Sequence, residues 1–127
     1  MTIIANQFIK IYNSIINISK INFPIQQSYQ IYLLNQEFKK HYNFLLEKEK
    51  QLFEQYNVEV DEKGAVKFQS DEDAQNFEQK YNELYQLELD FSIEKPIEIN
   101  IKGLDKEIKI SSQEIENLSQ FIVFKEE

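Results

Sequence analysis

The chain has 127 residues, of which 42% are hydrophobic and 13% aromatic, and a formal net charge of −8. That much apolar content is too high for a disordered chain, and the length suits one domain with its own core. There is no cysteine and all fourteen basic residues are lysine, which removes disulfides, thiolate metal sites, cysteine nucleophiles and the bidentate arginine contacts that read phosphate and guanine.

Charge is divided unevenly along the chain. Residues 1–56 carry six lysines and four acids, a net +2, and residues 57–127 carry eight lysines and eighteen acids, a net −10. The acidic half repels nucleic acid and favours basic partners. Residues 1–7 have neither the basic region nor the small-residue cleavage site of a secretory signal. No apolar run approaches the roughly 18 residues that cross a bilayer. The expected setting is therefore a reducing, non-membrane compartment.

An amphipathic helix is predicted first. Ile4, Phe8, Ile11, Ile15 and Ile18 follow a 4-3-4-3 spacing that sets them on one stripe, widened by Tyr12 and Ile16. Pro24 disfavours helix at Phe23 but suits a first helical turn, so a long second helix is predicted over 24–56. Its stripe is Ile31, Leu34, Phe38, Tyr42, Leu45, Leu52 and Tyr56, with Glu49 where another apolar residue would fit. Tyr29, Leu33, Phe44, Leu46 and Phe53 broaden the apolar surface, and a helix apolar on more than one side usually has two neighbours.

Val58 and Val60 alternate with polar residues, then Asp61-Glu62-Lys63-Gly64 turns, then Val66 and Phe68 resume the alternation. This is a hairpin in which Gly64 supplies positive φ. Ser70 is the N-cap of a third helix that opens on three acids. Phe77, Tyr81, Leu84 and Phe91 form its inner stripe, with Tyr85, Leu87 and Leu89 beside it, and Pro96 stops it. It is expected to return antiparallel along the second helix, with the hairpin at the distal end.

Ile97, Ile99 and Ile101 alternate with polar residues as a half-buried strand; residues 102–105 turn, and Ile108 and Ile110 resume the alternation. Ser111 to Glu114 reads as a capping box. A terminal helix carrying Ile115, Leu118, Phe121 and Ile122 follows. The fold class expected is α+β, mainly helical: a long antiparallel helical pair with a distal β-hairpin and a small C-terminal β element plus short helix, in one domain over 1–127.

Reactive chemistry finds little footing. His41 is the single histidine, with neither cysteine nor a second histidine beside it, so a packing or surface role is expected. Asp61-Glu62-Lys63-Gly64 lacks the alternating oxygen ligands of a calcium loop. Glu47 and Glu54 lie among lysines and read as solvated ion pairs. Two glycines, at 64 and 103, cannot assemble a phosphate loop, a dinucleotide fingerprint or a nucleophile elbow. No catalytic residue, cofactor or metal is expected. The aromatics fall mostly at core spacing, and the negative charge argues against base stacking. Tyr29, Tyr32 and Tyr85 are the candidate interface anchors, because amphipathic aromatics are favoured there.

Several features, taken in order, resemble small proteins of tailed bacteriophages and prophages, the DUF1617 group. They are the amphipathic helix through Ile18, and Phe23-Pro24-Ile25-Gln26-Gln27-Ser28-Tyr29 opening a long helix. Glu54-Gln55-Tyr56 then leads into Asp61-Glu62-Lys63-Gly64, and an acidic helix bearing Phe77 precedes the strand at 97–101. Last come Ile110-Ser111-Ser112-Gln113-Glu114-Ile115, Leu118 and Phe121-Ile122. The family has no assigned activity and carries over no functional residue. The resemblance implies a phage origin and a non-enzymatic accessory role. The expected function is protein–protein contact in the virion or its assembly, in the host cytoplasm or the virion. The partner expected is a virion or assembly component, with self-association into an oligomer as a further possibility; neither membrane nor direct nucleic-acid binding is expected. The alternative is an acidic inhibitor that mimics nucleic acid toward a host nucleic-acid-processing or defence enzyme.

Overall fold

The structure is a computed structural model and describes residues 1–102 and 110–126. The elements run β1 (Thr2–Ile4), α1 (Ala5–Ile18), α2 (Ile25–Gln55), β2 (Glu59–Val60), β3 (Val66–Lys67), α3 (Asp71–Tyr85), β4 (Glu88–Asp90), β5 (Ile97–Asn100), α4 (Ser112–Leu118) and β6 (Ile122–Lys125). The fold is mainly helical α+β, as expected. The described strands pair as three separate two-stranded sheets: β1 with β4 and β2 with β3, both antiparallel, and β5 with β6, parallel.

The 31-residue helix α2 is the axis of the molecule. Pro24 precedes it, with Ser28 N–H donating to the Pro24 carbonyl and Ser28 Oγ to the Phe23 carbonyl. It ends at Asn57, whose φ of 49° lies in the left-handed region that asparagine tolerates. There Val58 N–H reaches the Phe53 carbonyl and Asn57 N–H the Glu54 carbonyl, the paired bonds of a Schellman cap. Ile31, Leu34, Phe38 and Leu45 are buried on one face.

Phe38 is fully buried, and its ring meets those of Phe8 and Tyr12 from α1, Phe91 beyond β4 and Phe121 before β6. Ring separations of 4.6–5.8 Å, in stacked, tilted and edge-on pairs, fall in the favourable range for aromatic contacts. Chain segments distant in sequence thus converge on one side chain. A second aromatic group surrounds Phe77 on α3, with Phe53 and Tyr56 of α2, Phe68 after the hairpin, and Tyr81. Because Phe77 lies against the end of α2 and Tyr85 against Glu49 nearer its middle, α3 returns antiparallel along α2.

Three expected boundaries are corrected. The first helix begins at Ala5, so Ile4 leaves the core stripe and is 40% exposed while Ile3 and Ala5 are buried. Thr2-Ile3-Ile4 is β-branched throughout and pairs with Glu88-Leu89-Asp90. The third helix ends at Tyr85, well before Pro96, because the alternation of Leu87, Leu89 and Phe91 is strand-like; Leu89 and Phe91 are buried and Leu87 is exposed. The terminal helix ends at Leu118, and Phe121 and Ile122 belong to a strand that lies parallel to β5.

Ser70 and Ser111 cap α3 and α4 as expected, accepting from the N–H groups of Asp73 and Glu114. The capping box is only half formed, because the Glu114 carboxylate accepts from Asn17 Nδ2 on α1 instead. The turn and strand expected after Lys102 and through Ile108 lie outside the described residues. Ile110 is half-buried and in no strand.

Phe38→Ala should cost about 3–5 kcal/mol, the usual range for truncating a fully buried aromatic. Denaturant unfolding of the variant checks this, and a loss below about 1 kcal/mol would remove Phe38 from the centre of the core.

Candidate interaction surface

Opposite its buried stripe, α2 carries Ile25, Tyr29, Tyr32 and Gln36 at a 4-3-4 spacing that places them on one solvent-facing line. Ile25 is 90% exposed, Tyr29 60% and Tyr32 56%. The two tyrosine rings lie stacked with centroids 6.4 Å apart and planes 17° from parallel. No charged residue occurs between Lys20 and Glu37. In a chain of net charge −8, this aromatic face is electrically neutral.

The patch is flanked on both sides. On one, exposed Leu33 borders a groove of about 710 Å³ whose far wall is Ile93, Pro96 and Val123. The groove is held in shape at Glu37, whose carboxylate accepts from the N–H of Ser92 at 3.1 Å and from its hydroxyl. On the other side, Ser28, Tyr32 and Asn35 line a smaller cleft of about 250 Å³. Asn35 Oδ1 is buried there without a hydrogen-bond partner among the described residues. An incoming donor would relieve the cost of roughly 1–3 kcal/mol that an unpartnered acceptor carries.

The structure brings together two of the three expected anchors and separates the third. Tyr85 lies on α3 beside Glu49. Glu49 is 17 residues beyond Tyr32 on α2, or roughly 25 Å along the axis at 1.5 Å per residue. Tyr85 is half-buried and packs against the core. Its hydroxyl donates to Glu49 Oε1, and so does that of Tyr81, at 3.2 Å. Burial first, and the Glu49 carboxylate second, push the phenol of Tyr85 well above its ordinary value of 10.0; the same two causes raise that of Tyr81. Sequence reasoning marked Glu49 only as an interruption of the apolar stripe. The tyrosines at Tyr81 and Tyr85, one helical turn apart on the facing helix, are what make a carboxylate tenable there.

His41 and Asp61, two of the residues weighed for reactive chemistry, have structural work in this fold. His41 Nε2–H donates to the Asp90 carbonyl at 2.7 Å, and its ring meets Phe91 edge-on at 4.8 Å, so it pins α2 to the end of β4. Asp61 Oδ1 accepts from the N–H groups of Lys63 and Ala65, both at 2.8 Å, and so organises the hairpin turn around Gly64, whose φ is 81°. Among the described residues, no three histidine or acidic side chains are grouped to hold a metal, and no helix is long and apolar enough to cross a membrane. Comparison with protein-family models, characterised proteins and solved structures finds no match.

Glu49→Leu should destabilise the protein by about 1–3 kcal/mol, because it leaves two phenolic hydroxyls without their acceptor. Adding Tyr81→Phe and Tyr85→Phe should restore most of that loss; a triple variant no better than the single one would contradict this assignment. Alkali gives a second check. A raised folded-state value stabilises the protein fully below pH 10 and is lost as pH climbs through the raised value. Above pH 10 the wild type should therefore lose stability more steeply than Tyr85→Phe, and equal slopes in denaturant titrations would refute the shift.

Proposed function

We propose that this chain is a non-enzymatic protein–protein interaction module whose docking face is the neutral stripe of α2 around Tyr29 and Tyr32. The observation that carries this reading is the pairing of two exposed, stacked tyrosines with an uncharged surface on an otherwise acidic molecule. Exposed large aromatics amid apolar neighbours are the residues that typically dominate binding energy at interfaces. The flanking groove and the unpartnered Asn35 oxygen extend that face. On the strength of the DUF1617 resemblance, the setting proposed is a phage-type accessory role in the virion or its assembly, with a phage structural protein or a second copy of the chain as partner.

A second reading has its own support. Acids along the second half of the chain, among them Glu72, Glu78, Glu83, Glu88 and Glu94, are exposed, and the described residues form two ion pairs, Lys80–Glu83 and Lys125–Glu98. Such a solvated acidic surface suits an inhibitor that presents a phosphate-like field to a basic enzyme.

Salt separates the two readings, since a neutral face binds almost independently of ionic strength and an acidic one does not. The tagged protein and its Tyr29→Ala/Tyr32→Ala variant are used to capture partners from infected cells at low and high salt. We expect virion proteins that survive high salt with the wild type and are lost with the variant, while the variant's thermal unfolding stays within about 0.5 kcal/mol of wild type. Each tyrosine should contribute about 2 kcal/mol, roughly thirtyfold in Kd. Capture of a host nuclease or polymerase that high salt releases, undiminished in the variant, would favour the acidic inhibitor.

A further inference from the structure

Between α1, the middle of α2 and the end of α3 lies a cavity of about 520 Å³. Its polar centre is Glu49 with Tyr81 and Tyr85, and Phe8, Tyr42 and Leu45 form apolar and aromatic wall around it. Exposed Ile9 and Leu46 stand at the mouth, 50% and 45% accessible.

The charge arrangement is unusual. Both tyrosine hydroxyls donate to the same carboxylate oxygen, Oε1. The other oxygen, Oε2, has no hydrogen-bond partner among the described residues. Among the described residues no lysine lines the cavity, and neither of their ion pairs involves Glu49. Lys48, its neighbour on α2, is turned to Gln51 and the Phe44 ring. The half-buried Glu49 carboxylate is thus fixed in position by Tyr81 and Tyr85, in a cavity that Tyr42 also lines, without a counter-charge among the described residues.

We propose that this cavity binds a primary ammonium group on an aliphatic stem. Glu49 Oε2 accepts a charge-assisted hydrogen bond from the ammonium, and the tyrosine rings offer their negative faces to it. The stem lies along Phe8, Leu45 and the two residues at the mouth. Among the described residues Glu49 is the one acid lining the cavity, so the site suits a monoamine rather than a polyamine. The ammonium can come from a free alkylamine or from a lysine side chain of a protein partner.

The test is an NMR titration of the full chain with n-hexylammonium, 1-hexanol and N-acetyl-lysine-methylamide, following residues 42–49 and 81–86. We expect hexylammonium to shift these resonances saturably and hexanol to do so at least tenfold more weakly. Glu49→Gln should weaken hexylammonium roughly tenfold or more, as loss of one charge-assisted hydrogen bond implies. Lysine derivative binding at least as tightly as hexylammonium would identify a partner's side chain as the source, and hexylammonium alone would identify a free amine. Equal binding of hexanol and hexylammonium by the wild type overturns the proposal, whether or not Glu49→Gln folds, and so does a folded Glu49→Gln that binds hexylammonium undiminished.

Discussion

The fold depends on the burial of Phe38. An α-helix of 31 residues has no reason to stay single and straight in water unless one face is covered. Here the cover comes from pieces of chain far apart in sequence, and their rings close around that one side chain. The short β pairings follow from this convergence. A three-residue or four-residue strand pair is marginal in isolation; β1–β4 and β5–β6 persist because Ile3, Leu89, Ile97, Ile99 and Ile122 contribute to the same core. His41 completes the arrangement by tying α2 to the backbone just before Phe91.

Beyond Leu45 the character of the helical pair changes. The contact between α2 and α3 is aromatic at its far end, around Phe77, and polar in the middle, at Glu49. A carboxylate at an inward position is costly unless its lone pairs are met, and two phenols meet one oxygen here. The same interaction holds the Tyr85 hydroxyl on Glu49, and Tyr85 is half-buried where Tyr29 and Tyr32 are exposed. Tyr29 and Tyr32 face solvent on the opposite side of α2 from the core and have no such partner among the described residues. The uncharged stretch that contains them leaves a neutral face distinct from the acidic residues of the second half of the chain.

Much of this was legible in the sequence, for stated reasons. The 3.6-residue period of α1 and α2, the cap at Ser70 and the turn at Gly64 are local signals, and the structure carries each of them. What was not legible depended on partners distant in the chain. Thr2–Ile4 could be read as helix because its strand partner lies some ninety residues on. Residues 87–91 satisfy both a helical stripe and a strand alternation, and only pairing with β1 decides between them. Phe121 and Ile122 continue the helical spacing of Leu118, yet the parallel register with β5 claims them. For the candidate interface, the amphipathic chemistry of tyrosine singled out Tyr29, Tyr32 and Tyr85 alike. It could not distinguish Tyr85, whose environment is set by Glu49 on another helix.

The contact we propose is made by the neutral tyrosine face of α2 rather than by the acidic surface. The most direct measurement is site-specific photo-crosslinking in infected cells, with the crosslinking residue placed at Tyr32 in one protein and at the exposed Glu78 of α3 in another. We expect a discrete protein adduct from position 32 that persists at high salt, and none from position 78. An adduct from position 78 alone would contradict this reading and assign the contact to the acidic surface.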